Sequence, residues 1–153
     1  MCDYSLMMAP NRLAAEGEEL VAHKFKCGST GIVSSRDFSN WARREPRSLR
    51  QWFKDGFSSL PEPTPVVCIP PGARLQLLGV PEALKAEVSP DLGEEVVFTQ
   101  ISADANQHRD ALFFAAGYTV LLQRLPEGQR LKVLSLSSDD FTVEREPEIV
   151  FAA

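Results

Sequence analysis

The sequence predicts a mainly β, α+β fold: a small antiparallel β-barrel or twisted meander, with one or two amphipathic helices inserted near residues 36–60. Three observations carry this. Short apolar runs with a period of two follow one another after residue 65, separated by glycine- and proline-containing turns. No long helical pattern lies between those runs, so strands joined by tight turns are expected rather than crossover units. One stretch, and only one, shows a sustained helical period.

In chain order, the first 18 residues carry no clear period. Glu19 to Phe25 reads as a strand, Cys27-Gly-Ser-Thr-Gly31 as a turn, and Ile32-Val33 as a short strand. Ser35 then suits the cap of a short helix burying Phe38, Trp41 and Ala42. Glu45-Pro46 interrupts it, because the residue before a proline is pushed out of the α region. Pro46 fits the first turn of a second helix. There Leu49, Trp52, Phe53, Phe57 and Leu60 form one apolar face, with Arg47, Arg50, Gln51 and Lys54 opposite.

Pro61, Pro63 and Pro65 make a stiff extended linker. Residues 1–153 are read as one domain, with a helical sub-lobe at 35–60, the linker at 61–65 and a β-rich lobe at 66–153. Within that lobe, strands are expected at Val66–Ile69, Arg74–Val80, Glu95–Ile101, Ala111–Ala115, Tyr118–Leu122 and Leu131–Leu136. Their turns fall at Pro70-Pro-Gly72, Ala116-Gly117 and Pro126-Glu-Gly-Gln129. Pro81 to Glu87 gives one or two helical turns, and Ile149-Val150-Phe151 an edge strand.

Composition sets the outer limits. With 153 residues, 44% hydrophobic and 24% charged, the chain has enough apolar surface to fold as an ordinary globular protein. No apolar run approaches the roughly 20 residues that span a bilayer, and no basic segment followed by an apolar run opens the chain. A cytoplasmic protein is expected. Net charge is −5, but residues 36–55 hold six basic against three acidic side chains, leaving that stretch at +3 and the rest at −8. An acidic majority disfavours nucleic acid and anionic membranes as partners.

Few residues point to chemistry. Cys2, Cys27 and Cys68 form an odd set, which in a reducing compartment argues against a disulfide framework. Cys2 is a candidate N-terminal nucleophile, since an α-amino group freed by loss of Met1 can take its thiol proton. Cys2, His23, Cys68 and His108 are candidate ligands for zinc or copper(I), although no Cys-x-x-Cys or His-Glu-x-x-His spacing exists. His108-Arg109-Asp110 is a candidate acid–base group. Trp41, Arg47, Arg50, Trp52 and Lys54 are candidate interaction residues for a protein partner or a second copy of the chain. No glycine-rich phosphate loop or Gly-x-Ser-x-Gly is present.

The pattern resembles a group of small bacterial proteins that open Met-Cys-Asp-Tyr-Ser-Leu, as residues 1–6 do here. Further matching segments are His23-Lys-Phe-Lys-Cys-Gly-Ser29, Val67-Cys68, Glu95-Val-Val-Phe-Thr-Gln100, Arg109 to Gly117 and Val120 to Leu125; the stretch around 36–60 does not share in it. The resemblance implies a bacterial cytoplasmic β-rich domain and no particular reaction. It draws Cys2 and Cys68 together, because both fall in matching segments. With a good core and no catalytic motif, the expected role is a non-enzymatic binding or protein-interaction domain. A metal or thiol site and a Cys2 enzyme are the alternatives.

Overall fold

Alternation of side chains across a pleated strand explains most of the architecture. In the computed structural model, residues 10–25, 27–42, 65–101, 108–137 and 148–149 are described. They form ten strands: β1 Asn11–Leu13, β2 Glu19–Lys24, β3 Thr30–Ser34, β4 Val66–Cys68, β5 Arg74–Leu77, β6 Glu95–Gln100, β7 Asp110–Phe114, β8 Tyr118–Leu121, β9 Arg130–Ser135 and β10 Glu148–Ile149. Two helices accompany them, α1 at Ser35–Ala42 and α2 at Glu82–Glu87, with a 3-10 turn at Leu122–Arg124.

All ten strands belong to one sheet in the order β1-β4-β3-β2-β9-β5-β6-β7-β8-β10. Pairing is antiparallel from β4 through to β8. The two outermost pairs, β1 with β4 and β10 with β8, are parallel. β5 to β8 are the expected meander, and β9 returns to lie between β5 and β2. The sheet is not closed into a barrel: β1 and β10 end the order without meeting.

The sheet is nonetheless curled, because one cluster gathers side chains from nearly all of its strands. Leu20 and Ala22 of β2, Ile32 of β3, Leu75 and Leu77 of β5, Val96 and Phe98 of β6, Leu112 and Phe114 of β7, Val120 of β8 and Leu131 and Val133 of β9 share a single core. Opposite this face, Val21, Phe25, Val33 and Val66 make a second, smaller cluster on which Phe38 of α1 packs. Both faces of β3 are therefore covered, and all five of its residues are buried. The strand starts earlier than the sequence suggested: Thr30 and Gly31, read there as part of the turn, belong to β3.

Side chains close what strands leave open. Among the described residues β3 meets β4 at Val33↔Val66, and none of their strands lies beside the edge of β3 at Thr30. There the carboxamide of Gln123, in the 3-10 turn, accepts the Thr30 N–H at 2.7 Å and donates to the Thr30 carbonyl at 3.1 Å. One side chain supplies the donor and acceptor that a neighbouring strand would have supplied.

Candidate functional site

Ala15-Glu16-Gly17-Glu18 joins β1 to β2, closed by a hydrogen bond from the Glu18 N–H to the Ala15 carbonyl at 3.1 Å. This turn faces the start of α1, and between them lies an open cleft of about 820 Å³. Its charged lining is Arg12 of β1, Glu16 and Glu18 of the turn, Glu19 of β2, and Arg36 and Asp37 of α1. Carboxylates outnumber guanidiniums four to two.

Glu18 is the most engaged of these groups. Its carboxylate accepts both guanidinium nitrogens of Arg12, one at 3.0 Å and the other closer, together with the Ala15 N–H at 3.0 Å. The hydrogen bond from Arg12 pulls the Glu18 carboxyl below its ordinary range; burial opposes this, while the Ala15 amide and the Ser34 hydroxyl reinforce it. Arg12 is held correspondingly more firmly in its charged form, chiefly by Glu18 and to a smaller degree by Asp37. A forked, two-point pair fixes the guanidinium plane, which a single contact would not do. Arg12 also donates to the Leu13 carbonyl at 3.0 Å, covering an outward-facing acceptor of β1.

The remaining charges are less matched. Glu19 is paired with Arg130 of β9 at 2.6 Å. Glu16 accepts the Leu136 N–H at 3.1 Å, a neutral donor that leaves its charge uncompensated. Asp37 and Arg36 make no ion pair with each other or with any other described residue. With Arg12 cancelled by Glu18 and Arg130 by Glu19, the cleft retains Glu16, Asp37 and Arg36, an excess of one negative charge. Ser39 in α1 turns its hydroxyl back onto the Ser35 carbonyl at 2.8 Å, away from ligand duty.

The histidines expected from sequence stand at opposite ends of the sheet. Successive antiparallel pairings make β2 and β7 run in the same direction. His23 lies near the C-terminal end of β2, whereas His108 precedes the N-terminal end of β7. His23 is engaged in packing: its Nδ1 is 2.8 Å from Glu127 Oε1, and its ring meets Phe25 and Phe38 edge-on at 4.8 and 5.6 Å. Glu127 also accepts the Lys24 N–H at 2.5 Å. It can do so because Pro126 to Gln129 is a tight turn with Gly128 at φ +83°, which lays Glu127 against β2. At the other end, Asp110 is buried and accepts the Gln100 side-chain amide at 2.9 Å, so the carboxylate beside His108 serves the β6–β7 pairing.

The cysteines depart from expectation. Cys68 is disulfide-bonded, contrary to the argument from an odd count, and a disulfide sulfur offers no thiolate to a zinc or copper ion. Cys27 is a free, exposed thiol in the β2–β3 hairpin. Cys2 lies outside the described residues. Among those that are described, no three His, Cys, Asp or Glu side chains converge as a metal site. Trp41 falls on α1, while Arg47, Arg50, Trp52 and Lys54 lie outside the described residues.

Comparison with known proteins finds no family model, no curated protein and no solved structure that matches the chain. Among the described residues no helix is long and apolar enough to cross a membrane.

Proposed function

We propose that the chain is a non-enzymatic binding domain that takes a positively charged group of a partner protein into the cleft between the β1–β2 turn and α1. The observation that supports this is the cleft's charge: four carboxylates against two guanidiniums, with Glu16 and Asp37 in no ion pair among the described residues. A lysine or arginine side chain entering the cleft supplies that missing charge. Arg12, locked to Glu18, forms a fixed wall instead of competing for the ligand.

The cleft is open to solvent, so each ion pair contributes modestly and is screened by salt. Affinity is accordingly expected near the millimolar end, with strong dependence on ionic strength. The cytoplasmic location expected from the sequence belongs to this proposal; there the Cys68 disulfide is a bond that the redox state of the cell can open.

The test is an amide chemical-shift titration with an arginine-rich heptapeptide and a glutamate-rich counterpart. The basic peptide is expected to shift the signals of residues 16–19 and 35–39 with a Kd near or below about 1 mM, lost on doubling the salt. The double substitution Glu16→Gln and Asp37→Asn is expected to weaken binding at least about fivefold. Equal shifts from the acidic peptide, or none from either, overturn the reading.

A further inference from the structure

The antiparallel ladder between β2 and β9 ends where the β1–β2 turn begins. Its outermost pair is Glu19↔Lys132. Beyond that pair the Gly17 N–H donates to the Val133 carbonyl at 2.8 Å, and the Val133 N–H to the Glu18 carbonyl at 2.9 Å. Gly17, at φ +76°, lets the turn reverse the chain here. The Leu136 N–H, further along, is met by a side chain: Glu16 Oε1 accepts it at 3.1 Å. Leu136 is itself anchored, because its side chain packs against the larger core cluster. On the reading of the cleft as a site for a basic group, we infer that this bond is a clasp between cleft and core. A cation held by Glu16 tightens the clasp, and the clasp holds Glu16 in place for the cation.

Glu16 stands exposed on its turn, and a glutamate side chain is among the costlier ones to immobilise. The Leu136 N–H immobilises it in the rotamer that lines the cleft. Oε1 takes the N–H, and no described residue engages Oε2, so one carboxylate can hold the N–H and a cation together. Glu18, two positions on, cannot serve in this way. Both of its oxygens are taken by Arg12, and Oε2 also accepts the Ala15 N–H.

A cation that binds the clasped rotamer finds part of the ordering of Glu16 already done, and preorganisation of this kind tightens binding. The converse is obligatory. If the clasped form binds the cation more tightly by some factor, the cation favours the clasped form by that same factor. Two distinct places are thereby coupled, the charge in the cleft and the C-terminal end of β9. The net strength of one hydrogen bond sets the size of the coupling, a factor of about two to ten. Leu136 is a positioning residue in this scheme, since its main chain reaches the ligand only through Glu16.

Exchange of the Leu136 amide with water, read by NMR in the full-length protein, tests the coupling with the arginine-rich heptapeptide as probe. At saturating peptide the Leu136 amide is expected to exchange about two- to tenfold more slowly, with Val97 of β6 unchanged. Glu16→Asp keeps the charge but is one carbon short of the Leu136 N–H. It is expected to speed Leu136 exchange in the free protein. It is also expected to raise the Kd of the peptide by the factor by which the peptide slows wild-type exchange, within about twofold. A purely structural clasp predicts faster exchange in the variant with an unchanged Kd, and that result overturns the coupling. Wild-type exchange that is unchanged or faster at saturation overturns it too, while peptide-induced shifts at residues 16–19 and 35–39 leave the reading of the cleft standing. A peptide that shifts none of those signals removes both.

Discussion

Replacing Gln123 by leucine removes the two hydrogen bonds that hold β3 to the 3-10 turn across the gap in the curled sheet. Thr30 is only 5% exposed, so its N–H and carbonyl lose their partner without gaining free access to water. An unpaired buried main-chain group costs about 1–3 kcal/mol, and partial solvation of a half-open site brings the pair to about 3 kcal/mol in total. For a chain of this size that corresponds to a fall in Tm of about 6–12 °C. Urea unfolding followed by circular dichroism reads the loss, and amide exchange at Thr30 locates it. Gln123→Glu sharpens the test. At neutral pH its carboxylate still accepts the Thr30 N–H but opposes the Thr30 carbonyl with no donor. When protonated it regains a donor and restores both bonds. The neutral form is favoured in the folded state, so the new carboxyl titrates above the ordinary glutamate value. Its contribution is thus full below that value and is lost as pH rises through the folded-state pKa. Measured against wild type, the Gln123→Glu deficit must therefore shrink on acidification from pH 7 to about pH 4. A deficit equal at both pH values, or a Gln123→Leu loss below about 0.5 kcal/mol, refutes the strand-substitute role.

Other perturbations separate the remaining physical claims. Glu18 has a lowered folded-state pKa, so its pairing with Arg12 is fully present above the ordinary value of 4.5 and fades as pH falls below it. Glu18→Gln is expected to cost about 1 kcal/mol at pH 7, because Arg12 is half exposed, and to flatten the acid limb of a stability–pH curve. An unchanged acid limb refutes the assignment. Gly128→Ala places a methyl where no atom lies within 4 Å, so any loss is backbone strain at φ +83°. About 1 kcal/mol is expected from urea midpoints, and a neutral result refutes the need for glycine in this turn. Phe114→Ala empties the centre of the larger core and is expected to cost about 3–5 kcal/mol; a loss under about 1 kcal/mol would show that the core is not continuous there.

How much of the architecture was legible depends on where each residue points. β5, β6 and β9 were readable because buried positions alternate with more exposed ones, β2 and β7 as short apolar runs buried on both faces, and several of the turns carry glycines at positive φ. β1 was not, since Asn-Arg-Leu has no apolar period and Leu13 is 72% exposed. Its existence rests on pairing with β4, more than fifty residues away. The cleft was equally hidden: Arg12, Glu18 and Asp37 are ordinary surface residues until β1, the β1–β2 turn and α1 face one another. Glu127 was missed as the partner of His23 although its Pro-Glu-Gly turn was recognised, because the two residues are 104 positions apart.

By itself the sequence determined the mainly β composition, the meander from β5 to β8, the short helix at residue 35 and the net acidity. These follow from local period and turn chemistry, which neighbouring residues fully specify. Tertiary structure alone decided that the sheet stays open, that Gln123 bridges its gap, that the two histidines sit at opposite ends, and that Cys68 is oxidised while Cys27 is not. Each of these is a meeting between groups distant in the chain, and no local pattern encodes which distant groups will meet.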